Sequence, residues 1–371
     1  MALSIVLATA FWSLTIIIFA ARHVTRTRTH RTAIAVRAML RPRNIEHKAE
    51  IRSRVHPHEH VALTPSSAIL DPSRHDDFVQ GARELIASVS PQQCVGWQRY
   101  VKCAEKCTEI FLPSREVDFA AFIQSVTFCI IITGFYGVDP GTLFPDDIVF
   151  MTNALDRHSL RETPICPGEL DAMRERVCRW VGEERATQAL ETILPAYESM
   201  WHLAAVTLAY VNGNRHTQNA FLDFSENPTQ KQFRSFKVKN TRPSVEAIIN
   251  EVLRLHPPIQ RIARKSEHPL WKRLFCPAQE IADIEAVHRS CAYGTRLETF
   301  DAMRFHPQHE NPVDMQLLAF GHGELSCVAE EWAPIATALI VAKVIDRVDD
   351  VGFVLVGNII DARMDRNTRT D

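Results

Sequence analysis

From about Asp71 onward the apolar positions recur with helical spacing, broken mainly by prolines and short polar clusters, so the chain predicts a row of helices. VDFAAFIQSVTFCIIITGFYG, Val117 to Gly137, is too apolar for a surface helix and too often interrupted for a second membrane span; it predicts a buried core helix. ERATQALETILPAYESMWHLAAVTLAYV, Glu184 to Val211, predicts one long helix with Pro195 inside it, where the missing N–H kinks or opens the backbone. PSVEAIINEVLRLHPP starts with Pro243 and Ser244 as helix-start residues and stops at Pro257 and Pro258. Short strand-like pieces and turns fill residues 259–300. The expected fold class is mainly α with a small β component, without repeats or low-complexity tracts.

The N-terminus departs from this pattern. Ala2 to Ala21, ALSIVLATAFWSLTIIIFAA, is interrupted only by hydroxyl side chains, and about 20 helical residues match a bilayer core of roughly 30 Å. It reads as a membrane anchor, with a cleaved signal peptide, a mitochondrial presequence and a buried helix as the alternatives. No Lys or Arg precedes the run, whereas residues 22–55 carry ten Lys/Arg against two carboxylates. That asymmetry keeps the bulk of the chain cytosolic and the N-terminus lumenal. The expected division is a transmembrane anchor over residues 2–21, a basic linker over 22–60 and one folded domain over 61–371.

Composition narrows the classes further. With 46% hydrophobic residues in 371 the chain can bury a substantial core. Lys+Arg (42) nearly balances Asp+Glu (44), so no global field favours nucleic acid. Nine cysteines form no CxxC pair and stay reduced in a cytosolic domain. Cys103 and Cys107 lack the second pair a zinc site needs, and His56, His58 and His60 alternate in a polar loop.

Three short stretches carry candidate chemistry. In EVLR, Glu251 and Arg254 stand three apart on a helix and reach the same face. DAMRFHP places Arg304 where a second guanidinium could join Glu251. LLAFGHGELSCVAEEWAP then sets Cys327 behind a glycine-punctuated turn, 73 residues after Arg254.

In that order the three pieces resemble the cytochrome P450 family of haem-thiolate monooxygenases, particularly its fungal membrane-bound members. The family's helix motif ExxR looks like Glu251 and Arg254, its PERF-like arginine like Arg304, and its cysteine loop FxxGxRxCxG like Phe320, Gly323 and Cys327. The resemblance extends back to LPAYESMW, where Glu198 and Ser199 look like the acid and alcohol on the oxygen side of the haem. It implies haem b with Cys327 as axial iron ligand and Phe320 and Gly323 shaping the loop. Arg264 would meet a haem propionate, with Arg261 as the fallback, and Glu251, Arg254 and Arg304 would lock the core. It further implies insertion of one oxygen atom from O2 into an apolar organic substrate, with Glu198 and Ser199 as catalytic proton carriers. Electrons would come from NADPH through a separate reductase, at the endoplasmic reticulum membrane, in a secondary-metabolite pathway.

A thiolate pushes electron density onto haem iron and favours O–O cleavage. To stay deprotonated it needs amide donors and a positive potential, expected where the loop turns into a helix N-terminus. Gly321 and Gly323 allow the tight turn, and AEEWAPIATALIVAKVID is expected to continue as an apolar helix. Several positions depart from the family pattern: Leu325 replaces the basic residue two before the cysteine, Ala329 replaces a glycine, and Val101 stands where a WxxxR motif at Trp97 needs arginine. The alanine is a modest change, whereas Leu325 and the missing WxxxR arginine favour the alternative of a catalytically inactive, membrane-bound scaffold with a degenerate haem fold. A membrane-anchored hydrolase has no GxSxG or HExxH to support it.

Overall fold

The computed structural model describes residues 27–41, 72–111, 118–160, 167–236, 242–265, 279–290, 294, 296–307, 317–323 and 326–351. The expected anchor over 2–21 and the alternating histidines at 56, 58 and 60 lie outside the described residues. The order of elements is β1 (Thr27–His30), α1 (Ala33–Leu40), α2 (Pro72–Ser88), α3 (Cys94–Phe111), α4 (Phe119–Tyr136), α5 (Pro145–Leu160), α6 (Pro167–Val181), α7 (Glu183–Val211), α8 (Arg215–Glu226), α9 (Gln230–Phe233), α10 (Val245–Leu255), β2 (Arg261–Lys265), β3 (Gln279–Asp283), α11 (Ile284–His288) and α12 (Ala333–Val351). The fold is therefore mainly helical with one small sheet, as the periodicity predicts.

The main core is built around α4. Asp118 caps its start by accepting from Ala121 N–H at 2.8 Å, and Gly137 ends it in the left-handed region at φ 69° with its N–H on the Thr133 carbonyl. Among the described residues this is the one helix long and apolar enough to cross a bilayer, yet 83% of it is buried inside the protein. It is a core helix wrapped by α3, α5 and α7. Gly134 lets α3 approach, because a Cβ there would collide with the Tyr100 ring. Cys103, Cys107 and Cys129 fill this interface as free buried thiols. α7 runs unbroken through Pro195 for 29 residues and packs on α4, α6 and α12.

A second, smaller core lies at the sheet. Its strand order is β1-β3-β2, with β1 parallel to β3 (Thr27 opposite Gln279) and β2 antiparallel to it (Ile262 opposite Ala282). Val36, Met39 and Leu40 of α1 bury against Ala282, Ile284, Val287 and Leu318. This corrects the expected linker over 22–60, since residues 27–40 within it are a strand and a helix. The TRTH strand contains no apolar residue, so only pairing with β3, some 250 residues away, makes it a strand. In α1, AIAVRAML, every residue but Arg37 is apolar, so no alternation reveals a helix by period.

Between the two cores sits a buried ion pair. Arg254 Nε and Nη2 donate to the two carboxylate oxygens of Glu251 at 2.7 and 2.9 Å, and both side chains are fully buried. Arg254 Nη1 donates to the His288 and Leu297 carbonyls at 3.2 and 2.9 Å. Glu251 Oε1 also accepts from the Asp301 N–H at 3.0 Å and from Arg304 Nε at 3.4 Å. Arg304 stands on the single helical turn Ala302–Phe305 and reaches back to the Arg296 carbonyl. Ser244 caps α10 by accepting from Ala247 N–H, and the helix ends before Pro257, where the pre-proline His256 has already left helical geometry at φ -135° and ψ 64°.

Removing one member of a buried pair leaves the other charge unpaired, at a cost of about 3–5 kcal/mol. Glu251→Ala is therefore expected to lower the urea midpoint by that equivalent or to leave the protein insoluble, whereas an exposed change such as Glu84→Ala has little effect. A Glu251→Ala protein with wild-type unfolding would show that the pair does not carry the core.

Candidate functional site

Cys327 is presented by a loop folded on itself. Gly321 (φ 82°) and Gly323 (φ 71°) both occupy the left-handed region, which a side chain would strain. Gly321 N–H closes a turn on the Leu318 carbonyl, and Ser326 N–H reaches Gly323 at 3.1 Å. The Cys327 N–H then donates to the Phe320 carbonyl at 2.7 Å, so both ends of the loop are pinned together. Leu325, between them, lies outside the described residues. The root of the loop is fixed by Leu318, whose side chain is in the smaller core and whose N–H donates to His288 Nε2 at 2.8 Å.

The cysteine stands in the wall of a cleft of about 540 Å³, a size common for small-molecule sites. Ile86, Phe233, Leu317 and Phe320 give the cleft an apolar flank, while Arg83 from α2 and Arg234 after α9 bring cations. Arg234 is already paired with Glu246 at 3.1 Å. Glu330 and Glu331 also line it.

These carboxylates and the surrounding protein set the state of the sulfur. Cys327 reaches solvent through the cleft but is otherwise enclosed, and burial pushes its thiol up, with the Glu330 charge adding to the effect. One amide opposes this: the Ala329 N–H donates to Sγ at 3.4 Å. Glu330 is itself raised by burial and by Glu331. The expected helix N-terminus beside the cysteine is corrected here, since residues 328–332 form turns and α12 starts only at Ala333. Pro334 in the first helical turn suits that start, because its missing N–H has no partner to lose there.

The other predicted residues are distributed unevenly. Phe320 and Gly323 belong to the loop, and Phe320 lines the cleft with Cys327. Glu251, Arg254 and Arg304 come together as the buried lock. Glu198 and Ser199 are half-buried on α7, and α7 contributes no residue to the cleft. Glu198 instead lies close enough to Tyr197, as does Asp156 of α5, to add to the raised pKa of that buried phenol. Arg264 sits on β2 opposite Glu280, with its side chain outside the described part, and Arg261 is engaged by Asp283 at 3.8 Å. Trp97 turns its indole N–H to the Pro228 carbonyl and stacks on Tyr100, which accounts for it without an arginine at 101.

Two further contributions had no signal in the sequence. Arg83 reaches the cleft from a helix with no motif. Burial lowers the pKa of His322, and Arg37 of α1 with Arg41 just after it, inside the supposed linker, lie close enough to lower it further. Their part became visible only once β1 paired with β3. Among the described residues no group of three or more His, Cys, Asp or Glu gathers to hold a metal by itself.

The cleft suits a porphyrin on its sulfur side: a thiol in the wall, an amide on that thiol, an apolar flank, and Arg83 to meet a carboxylate. The comparisons point the same way. No curated protein matches the chain. The Cytochrome P450 family model matches residues 227–349, a stretch that contains Glu251, Arg254, Arg304 and Cys327. That family works by haem-dependent monooxygenation, with O2, an organic substrate and a redox partner. Over residues 227–349, which hold the ion-paired helix, the Arg304 turn and the cysteine loop, the chain is similar to the cytochrome P450 family.

Proposed function

We propose that this protein is a haem-thiolate monooxygenase acting on an apolar organic substrate, in which Cys327 would hold the iron of haem b. The observation that carries the reading is the Cys327 loop itself, closed by the 2.7 Å bond to Phe320 and opening its sulfur to the cleft. When bound, a haem supplies the activation of O2 that places one oxygen atom in the substrate and releases the other as water. The chain's residues do the rest. Cys327 would hold the iron through its sulfur, releasing the thiol proton to solvent on binding, and the Ala329 amide would share the charge left on the sulfur. Phe233, Leu317 and Phe320 give the cleft an apolar lining for the ring. Arg83, with Arg264 by resemblance, serves the carboxylates of the porphyrin.

Electrons from NADPH through a separate reductase, a fungal secondary-metabolite pathway and a single-pass anchor over residues 2–21 in the endoplasmic reticulum complete the proposal, all by resemblance and by the N-terminal sequence. A second reading, a catalytically silent membrane-bound scaffold, is favoured by one observation: no residue of α7 lines the cleft, so Glu198 and Ser199 are not beside Cys327.

The two readings separate on the carbon monoxide difference spectrum of the reduced, haem-supplemented protein. The family's thiolate-type Soret band is expected for wild type and its loss for Cys327→Ala. No Soret absorbance in purified wild type would leave the scaffold reading in its place.

The raised thiol adds a dependence on pH. Below its pKa the sulfur must release a proton to coordinate, so haem affinity is expected to rise by up to about tenfold per pH unit as the pH is raised toward that pKa. Haem titration at several pH values checks this, and an affinity independent of pH would contradict it.

Topology is tested separately. A protein beginning near Thr25 is expected to leave membranes more readily than the full chain. Protease protection of the C-terminal domain inside sealed microsomes would contradict the orientation.

A further inference from the structure

His288 is a fully buried side chain that the reading above does not use. It ends α11, and its Nε2 accepts the N–H of Leu318 at 2.8 Å across thirty residues of chain. An acceptor at Nε2 places the ring proton on Nδ1, facing α10, where the Leu253 backbone bonds the ring. The backbone carbonyl of the same residue is held by Arg254 Nη1 at 3.2 Å. His288 thus joins the buried ion pair to the residue at which the Cys327 loop begins. Two residues after Leu318, the Phe320 carbonyl receives the Cys327 N–H.

We propose that His288 is a positioning residue that fixes the root of the Cys327 loop through Nε2, and that its protonation releases the loop. The effect on a bound haem rests on the haem-thiolate reading; the anchor itself does not. A protonated ring would turn Nε2 from acceptor into donor and face it toward the Leu318 N–H, so the bond cannot survive. The charged groups packed around the ring oppose that change or are already engaged. Arg254 on α10 repels a second cation, and its partner Glu251 is committed to it. On His288's own helix Glu285 is paired with Arg289 at 2.9 Å, and Arg289 also holds Glu298.

The sign of the pH dependence follows from these surroundings. Burial and Arg254 lower the imidazole to about 4 in the folded protein, against about 6.5 in an unfolded chain. The anchor therefore contributes fully above the unfolded value, and its contribution is lost as the pH falls through that window.

The test is amide hydrogen exchange at Leu318, read as a protection factor in wild type, His288→Gln and His288→Leu. Gln keeps a neutral acceptor near the Nε2 position, whereas Leu keeps apolar volume without one. At pH 7 the Leu variant is expected to lose about ten- to hundredfold protection at Leu318, as a buried N–H left without its acceptor requires, and the Gln variant to keep most of it. Between pH 7 and 4 protection in wild type is expected to fall and in His288→Gln to stay level. Should the Leu variant fail to fold, this pH comparison alone decides. Equal protection in His288→Leu and wild type, or equal pH profiles in His288→Gln and wild type, would overturn the proposal. In haem-supplemented protein, the same acidification is expected to erode the thiolate band earlier in wild type than in His288→Gln. Absence of any haem spectrum in wild type would remove the haem-thiolate reading while leaving the exchange result to decide the anchor.

Discussion

The guanidinium of Arg254 lies where water does not reach, and its charge is tolerable only because four hydrogen bonds surround it: two to Glu251 and one each to the carbonyls of His288 and Leu297. A bidentate carboxylate matches the planar fork of arginine and adds direction to charge. The carbonyls matter as much, because they belong to segments far along the chain. Satisfying a single side chain thus requires α10, α11 and the segment at 297–304 to occupy fixed places. Arg304 extends the same lock to the turn that precedes the cysteine region. Such a pair is weak support for net stability, and its value here is in determining which segments meet.

The loop that carries Cys327 runs along the seam between two cores. Leu318 is buried with α1, β3 and α11, whereas Leu317, Ala319 and Phe320 turn to the large helical core. Consecutive residues facing opposite ways behave as a short extended piece gripped on both sides. Beyond it, left-handed glycines at 321 and 323 reverse the chain and bring the cysteine back to Phe320. The position of the sulfur therefore derives from packing on either side of the seam and from the backbone bond that closes the loop, with no helix terminus adjacent.

That arrangement has an electrostatic consequence. Enclosure disfavours the thiolate, the Glu330 charge adds to the effect, and one amide works against both. A reactive free thiolate belongs in electropositive surroundings, and this thiol is not in them. Its chemistry is suited to a partner that binds the sulfur and displaces the proton, which is what a coordinated iron does.

The helices were legible in the amino-acid sequence wherever an apolar period ran for several turns. α4, α7 and α10 follow their expected limits closely, and Ser244, Asp118 and Gly137 carry the capping chemistry that ends them. Glu251, Arg254, Arg304 and Cys327 could also be picked out, because helical spacing and motif order are local properties. Tertiary structure alone decided the rest. TRTH became a strand only by pairing with β3, since nothing in four polar residues encodes a partner some 250 positions away. Glu198 and Ser199 form an acid–alcohol pair in any sequence reading, yet which way they face depends on how α7 rolls against α4, α6 and α12. His288 is one histidine among sixteen, and its standing comes from burial against α10 and from the Leu318 N–H that the folded chain brings to its ring. A side chain's type and spacing are written locally, whereas its burial and its partners arise from the packing of segments distant in the chain.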